Sequence, residues 1–200
     1  MATLFLARHG ETAWGLTRYA GSTDVPLSDR GHEQGRQLAE RLRAVPLVAI
    51  IASDLQRAVA TAEAVAADHG LTVEIVSALR EQGHGEWEGL SSEEIRAGWP
   101  ESVAARDAAP ATFAPPGGET LTEVATRALP VLEELLRRAR TGNVLVVAHQ
   151  NVNRVLLAQL LQAPLDAARR MHQSPGCVNL IDVADSRFQV YAINDTAHLT

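Results

Sequence analysis

Lysine is absent: all 18 basic side chains of this 200-residue chain are arginine. That excludes chemistry built on a primary amine, including a P-loop phosphate lysine, a Schiff base and a pyridoxal anchor. Cysteine is nearly absent too, since Cys177 stands alone and has no partner for an internal disulfide. No long apolar run occurs. The stretch at residues 4–7 is cut off by Arg8, too short for a signal-peptide core or a membrane span, and a soluble cytoplasmic protein is expected. Positive charge is in deficit, at a net −6. This argues against nucleic acid or an anionic membrane as the main partner, while leaving room for a local cationic pocket. Internal repeats and low-complexity tails are also missing.

What is present suffices for one globular domain over residues 1–200, with 46% hydrophobic and 21% charged residues and a core of ordinary size. "TLFLA" (3–7), "LVAIIAS" (47–53), "TVEIV" (72–76) and "NVLVVAH" (143–149) are short apolar runs of the kind found in strands buried on both faces. Between them, residues 29–43 and 54–68 carry apolar side chains at helical spacing, the second opening behind Ser53 and Asp54 as candidate caps. The alternation predicts an α/β three-layer sandwich, a mainly parallel central sheet flanked by helices on both faces.

Residues 91–119 break that rhythm with Pro100, Pro110, Pro115, Pro116, Gly117 and Gly118, and read as a lid-like excursion. Thr120 and Glu123 form a capping-box pattern that opens a helix to about Arg140, with Pro130 expected to kink it. A further helix follows His149. The last apolar runs, "CVNLIDV" and "FQVYAIN", are separated by "ADSR" and predict a hairpin of edge strands.

Ligands of open α/β sheets bind beyond the carboxyl ends of the strands, so the polar residues that follow each apolar run are the candidates. They are Arg8-His9-Gly10 after the first run, Ser53 with Arg57 after the second, Glu81 after the third and His149 after the fourth. Two arginines, two histidines and a carboxylate suit a phosphoryl group, whose charge of about −1.5 to −2 calls for fixed cations. Arg8 and Arg57 supply that charge, and Gly10 lets backbone come close to the oxygens. A neutral imidazole attacks phosphorus directly, and arginine neighbours favour the neutral form, which makes His9 the nucleophile. A protonated His149 would stabilise the equatorial oxygens, and Glu81 would protonate the leaving oxygen. Glu86 and Glu88 in "GEWEG" compete for that acid role, and an ion pair with Glu63 or Asp54 competes for Arg57.

"RHGET", "STDVPLSDRG", "SDLQRAVATAE", "LREQGHGEWEGLSSEEI", "PPGGET" and "VVAH", in this order, closely resemble the histidine phosphatase superfamily, also called phosphoglycerate mutase-like. The resemblance spans nearly the whole chain. It implies a phosphoglycerate mutase-like fold, a phosphohistidine on His9, a phosphate pocket of Arg8, Arg57 and His149, and Glu81 as proton donor. It implies neither a cofactor nor a metal, and no close His/Asp ligand spacing supports a metallophosphatase. The chain departs from the family pattern twice. Gly15 stands where many members have Asn, and Gln150 follows the second histidine where members usually have Gly, placing a side chain at the pocket mouth as a substrate contact.

Family mutases carry a longer insertion with adjacent arginines. Here the excursion holds only Arg96 and Arg106, and Arg169 and Arg170 fall in a late helix. A water-accessible phosphomonoesterase is therefore expected, ahead of phosphoglycerate mutase-type transfer or a non-catalytic phospholigand module. Within the family the motifs look most like α-ribazole phosphate phosphatases and broad-specificity bacterial phosphatases. The implied partner is a small phosphorylated metabolite, with a homodimer left open. His84 is expected at the entrance, Glu11 and Thr12 in the nucleophile's loop, and Trp14, Tyr19, Trp87 and Trp99 in core or rim packing. His32, His69, His172 and His198 receive no role.

Overall fold

The computed structural model describes residues 2–184 and 187–199. Strand β1 (Ala2–Arg8) leads to helix α1 (Asp29–Leu42), then β2 (Leu47–Ala52), α2 (Gln56–His69) and β3 (Val73–Ile75). Two short helices follow, α3 (Ser92–Gly98) and α4 (Pro100–Ala108), then α5 (Leu121–Arg138), β4 (Asn143–Ala148), α6 (Gln150–Leu160), β5 (Val178–Ala184) and β6 (Arg187–Asp195). The six strands form one sheet in the order β3-β2-β4-β1-β5-β6. β1, β2, β3 and β4 pair in parallel, and β5 and β6 are antiparallel to their neighbours.

Side-chain alternation along β1 explains the three layers, because successive residues of a strand face opposite sides. Leu4 and Leu6 enter one apolar cluster with Val124, Leu132 and Leu135 of α5 and Val152 and Leu156 of α6. Phe5 and Ala7 enter a second with Leu38 and Leu42 of α1 and Ala58, Ala62 and Val65 of α2. A strand buried on both faces reads as a continuous apolar run, and each large aliphatic side chain fully removed from water contributes about 1.5–3 kcal/mol.

Several sequence expectations are refined. α2 is not capped by Ser53 or Asp54: its first turn receives Asp24, whose Oδ1 accepts the Gln56 N–H at 2.8 Å from 32 residues upstream. Asp54 instead pairs with Arg80 at 2.7 Å. The excursion at 91–119 is built of α3 and α4, with Pro100 at the first turn of α4, where a missing N–H costs nothing. Thr120 and Glu123 do form the capping box of α5, and Pro130 lies inside that helix without ending it. Only β6 is an edge strand of the terminal hairpin, because β5 pairs with β1 on its other side. Asp185 and Ser186, the centre of the "ADSR" connection, lie outside the described residues. Among the described residues no helix is long and apolar enough to cross a membrane.

The loop after β1 is pressed against the start of α1. A Cβ on Gly10 would come within 2.4 Å of the Gly31 carbonyl oxygen, and one on Gly31 within 2.0 Å of the Glu11 carbonyl oxygen. Both obstacles are backbone, so neither yields cheaply. Gly31→Ala is therefore expected to destabilise the protein by about 1–3 kcal/mol in urea unfolding, while Gly98→Ala, with open space around it, should be neutral or mildly stabilising.

Candidate active site

Strand register brings the candidates together. In the parallel β1/β4 pair Arg8 lies opposite Ala148, so His9 and His149 leave the sheet side by side. Backbone pairing continues past the strand ends, with the His9 N–H on the Ala148 carbonyl at 3.1 Å and the Ser53 N–H on the Val147 carbonyl at 3.1 Å. The two imidazole centroids are 5.0 Å apart. His9 lines a cavity of about 420 Å³ together with Arg8, Arg57, Glu81 and Gln150, and His149 stands wholly buried beside His9.

His9 is buried, and its Nδ1 lies 2.6 Å from the Gly10 carbonyl oxygen. A carbonyl only accepts, so Nδ1 carries the proton and Nε2 keeps its lone pair. Burial first, then the charges of Arg8 and Arg57, hold this imidazole well below its ordinary range, against the opposing Gly10 hydrogen bond. His9 is thus neutral at physiological pH. Gly10 acts differently from the sequence expectation: its N–H is spent on Thr61 Oγ1 at 3.1 Å, and its missing side chain admits Gly31 rather than a ligand.

Arg57 makes no ion pair with Asp54 or Glu63. Nη1 donates to the Thr23 carbonyl at 2.7 Å and Nη2 to the Gly21 carbonyl at 2.6 Å. Arg8 Nη1 donates to the Gln173 carbonyl at 2.6 Å. In both arginines the buried Nε has no partner, and the same holds for His149 Nδ1. Burial lowers the proton affinity of both guanidiniums relative to free arginine, yet an arginine side chain stays charged in proteins. Each unpaired buried donor costs about 1–3 kcal/mol.

His149 is wholly buried, with Nε2 2.7 Å from Ser53 Oγ. Burial, then Arg57, His9, Arg8 and Arg127, push it well below its ordinary range. The protonated form, which the sequence reading made a condition of its role, is therefore not the one that the free site favours, because a third cation buried beside two arginines is repelled.

Of the three competing carboxylates, Glu81 faces the cavity. It is buried, and accepts N–H donors from Gln82 at 2.9 Å and from Asn151 at 3.2 and 3.3 Å, the latter in the first turn of α6. Glu86 is exposed. Glu88 is occupied elsewhere, accepting from Ser22, the Thr23 N–H and hydroxyl, and the His84 N–H. Burial alone would raise its proton affinity, but hydrogen bonds from Thr23, His84 and Ser22 hold its carboxyl below the usual range. Glu88 clamps the very loop whose carbonyls hold Arg57.

Gly15 lines the cavity at φ +63, a left-handed conformation that Asn also tolerates. Gln150, at the start of α6, and His84, edge-on to Tyr19 at 5.2 Å, also line it. Trp87 is buried, stacks on Phe113 at 5.6 Å, and anchors the excursion as one wall. Sequence reasoning missed Gln82, Asn151, Ser53 as the His149 partner, and Gln173, whose buried side-chain amide bonds Asn153 and Asn179. It also set His172 and Arg169 aside, and both line the cavity together with Arg106 and Arg154. Only Asn151 had a local signal, in its position two residues after His149.

A family model of the histidine phosphatase superfamily (branch 1) matches residues 4–196. Glucosyl-3-phosphoglycerate phosphatase of Mycolicibacterium vanbaalenii is 38% identical over 172 residues, covering 82% of this chain and 76% of that protein. Adenosylcobalamin/α-ribazole phosphatase of Escherichia coli is 30% identical, covering 97% of this chain and 96% of its own. Among solved structures, Bacillus stearothermophilus YhfR superposes with a TM-score of 0.91 at 34% identity over the full length of both chains.

Both active-site imidazoles are neutral when folded and titrate near 6.5 when unfolded. Below that pH the unfolded chain binds more protons, so acid favours unfolding. Thermal midpoints are expected to fall as pH drops from about 7 to about 5, and His149→Asn should make that fall shallower. An unchanged slope would show that His149 titrates normally.

Proposed function

The chain belongs to the histidine phosphatase superfamily and is a phosphatase of it, and on that premise we propose a two-step hydrolysis of small phosphorylated metabolites by the residues gathered at the ends of β1, β2 and β4. The observation that carries this reading is a set of three buried nitrogens without partners and able to donate, Arg8 Nε, Arg57 Nε and His149 Nδ1, on residues whose charge or ring neighbours His9, while His9 Nε2 keeps its lone pair. A tetrahedral phosphoryl group offers three oxygens to those donors and its phosphorus to the imidazole.

In the first step the Nε2 lone pair of His9 attacks phosphorus and the bond to the ester oxygen breaks. Glu81 delivers a proton to that oxygen, so the alcohol leaves neutral and His9 carries the phosphoryl group. In the second step Glu81 takes a proton from water as the water oxygen attacks phosphorus. The N–P bond breaks, returning neutral His9 and inorganic phosphate. His149 serves without a positive charge of its own when the Ser53 hydroxyl donates to Nε2, leaving the proton on Nδ1 to face an oxygen. The second step needs water at His9, and the cavity that His9 lines offers it a path.

The substrates named for the relatives, glucosyl-3-phosphoglycerate and α-ribazole phosphate, are small phosphate esters. They support the same class of substrate here. The excursion at 91–119 belongs to the same domain, because its Phe113 and Arg106 complete the wall of the cavity.

His9→Ala is expected to abolish hydrolysis of p-nitrophenyl phosphate, and acid-labile label trapped from a labelled ester should map to His9. Full activity in that variant would sink the mechanism. Glu81→Gln should lower kcat by about 10²–10⁴, whereas Glu86→Gln should leave it near the wild-type value; the reverse pattern would move the acid role to Glu86.

A further inference from the structure

Six arginines line the cavity against two carboxylates, Glu11 and Glu81. Arg8 and Arg57 face the transferred phosphoryl group in the reading above, and Arg18 has Glu94 at 3.4 Å. Arg106, Arg154 and Arg169 remain. They come from three separate segments, α4, α6 and the turn Leu165–Arg170, so no helical repeat accounts for their meeting.

One carboxylate answers part of this charge. Asp107 lies 3.0 Å from Arg106 and 3.9 Å from Arg169, but its side chain is 60% exposed and spends itself partly on water. Arg154 has no carboxylate partner among the described residues. Its Nε donates to the Met171 carbonyl at 2.8 Å and its Nη1 to Asn151 Oδ1 at 3.0 Å. Burial, only partly offset by Glu81 and reinforced by Arg8 and Arg169, pushes Arg154 down to about 10. Burial and the nearby Arg106 likewise lower Arg169. Cations desolvated against one another are unfavourable until an anion joins them.

Their position says which part of a substrate would bring that anion. Asn151, which holds Arg154, gives its backbone N–H to both oxygens of Glu81. Glu81 marks the side from which the alcohol departs, so Arg154 lies on the leaving-group side of the site. Arg106 lies over the Trp87 ring, 5.6 Å from its centroid, on the wall of the same cavity.

We propose that Arg106, Arg154 and Arg169 form a second anion subsite, and that the preferred substrates are phosphomonoesters whose alcohol carries a further carboxylate or phosphate. This rests on the phosphatase reading and specifies its leaving group. Planar guanidiniums suit both anions, each offering paired N–H donors to two oxygens.

The test compares kcat/KM for propyl phosphate, the same ester with a terminal carboxylate and the same ester with a terminal phosphate, together with the corresponding pentyl series. In the wild type the charged-tail esters are expected to exceed the neutral ester by about tenfold or more at one tail length, the scale of a hydrogen bond to a charged group. In Arg154→Gln/Arg169→Gln that ratio should fall close to one. The carboxylate and phosphate arms identify the anion. Equal kcat/KM for charged and neutral esters in the wild type, or a ratio that survives the double substitution, would overturn the subsite while leaving the phosphatase reading intact. Should no ester be hydrolysed at all, it is the phosphatase reading that fails, and calorimetry decides the subsite. The charged-tail ester should then bind about tenfold tighter than propyl phosphate, and equal affinities would overturn it.

Discussion

Everything in the site follows from two guanidiniums taken out of water and left partly unpaired. Arg57 is almost wholly buried and spends both outer nitrogens on backbone carbonyls, Arg8 spends Nη1 on another, and in each Nε stays without a partner. Carbonyl oxygens orient a guanidinium without cancelling its charge. The cleft therefore remains positive, and burial first, with that field added to it, keeps His9 and His149 neutral. A neutral His9 is a nucleophile, while a protonated one is not. In the proposed reaction the same charge that binds a phosphate thus also helps to arm the residue that attacks it.

Holding those arginines needs support from distant segments. Arg57 depends on the carbonyls of the loop at residues 21–23, and that loop depends on Glu88, whose carboxylate takes donors from Ser22, Thr23 and His84. Arg8 depends on the carbonyl of Gln173, whose side chain is locked by a reciprocal amide pair with Asn179, itself bonded to the Leu6 carbonyl of β1. Buried polar networks of this kind hold one geometry because any broken member strands another. The carboxylate proposed for catalysis and the one used by the scaffold are consequently different residues: Glu81 faces the cavity, and Glu88 is consumed by the scaffold.

The layered sheet, the long α5 with its capping box, and the placement of His9 and His149 at strand ends were legible from apolar periodicity and local caps. Such signals are short-range, so the residues themselves carry them. The cap of α2 was not, because Asp24 reaches it across 32 residues and no local pattern announces that. The role of Gly10 was misjudged for a related reason. A glycine in a sequence states that a side chain is unwelcome, but only the fold shows that the obstacle is the Gly31 backbone.

By itself the sequence determined the chemistry available: arginine without lysine, two histidines and a carboxylate following buried runs, in an order matching one family. Tertiary structure decided which of those groups meet and in what protonation state. Pairing Arg8 with Ala148 across β1 and β4 set the two imidazoles 5.0 Å apart, and burial beside cations favours the neutral form of His149, whose protonation residue identity had left open. It also drew Arg106, Arg154 and Arg169 into one cavity from segments that the sequence keeps apart. Proton affinity and charge convergence are properties of distance and dielectric, and neither exists until the chain has folded.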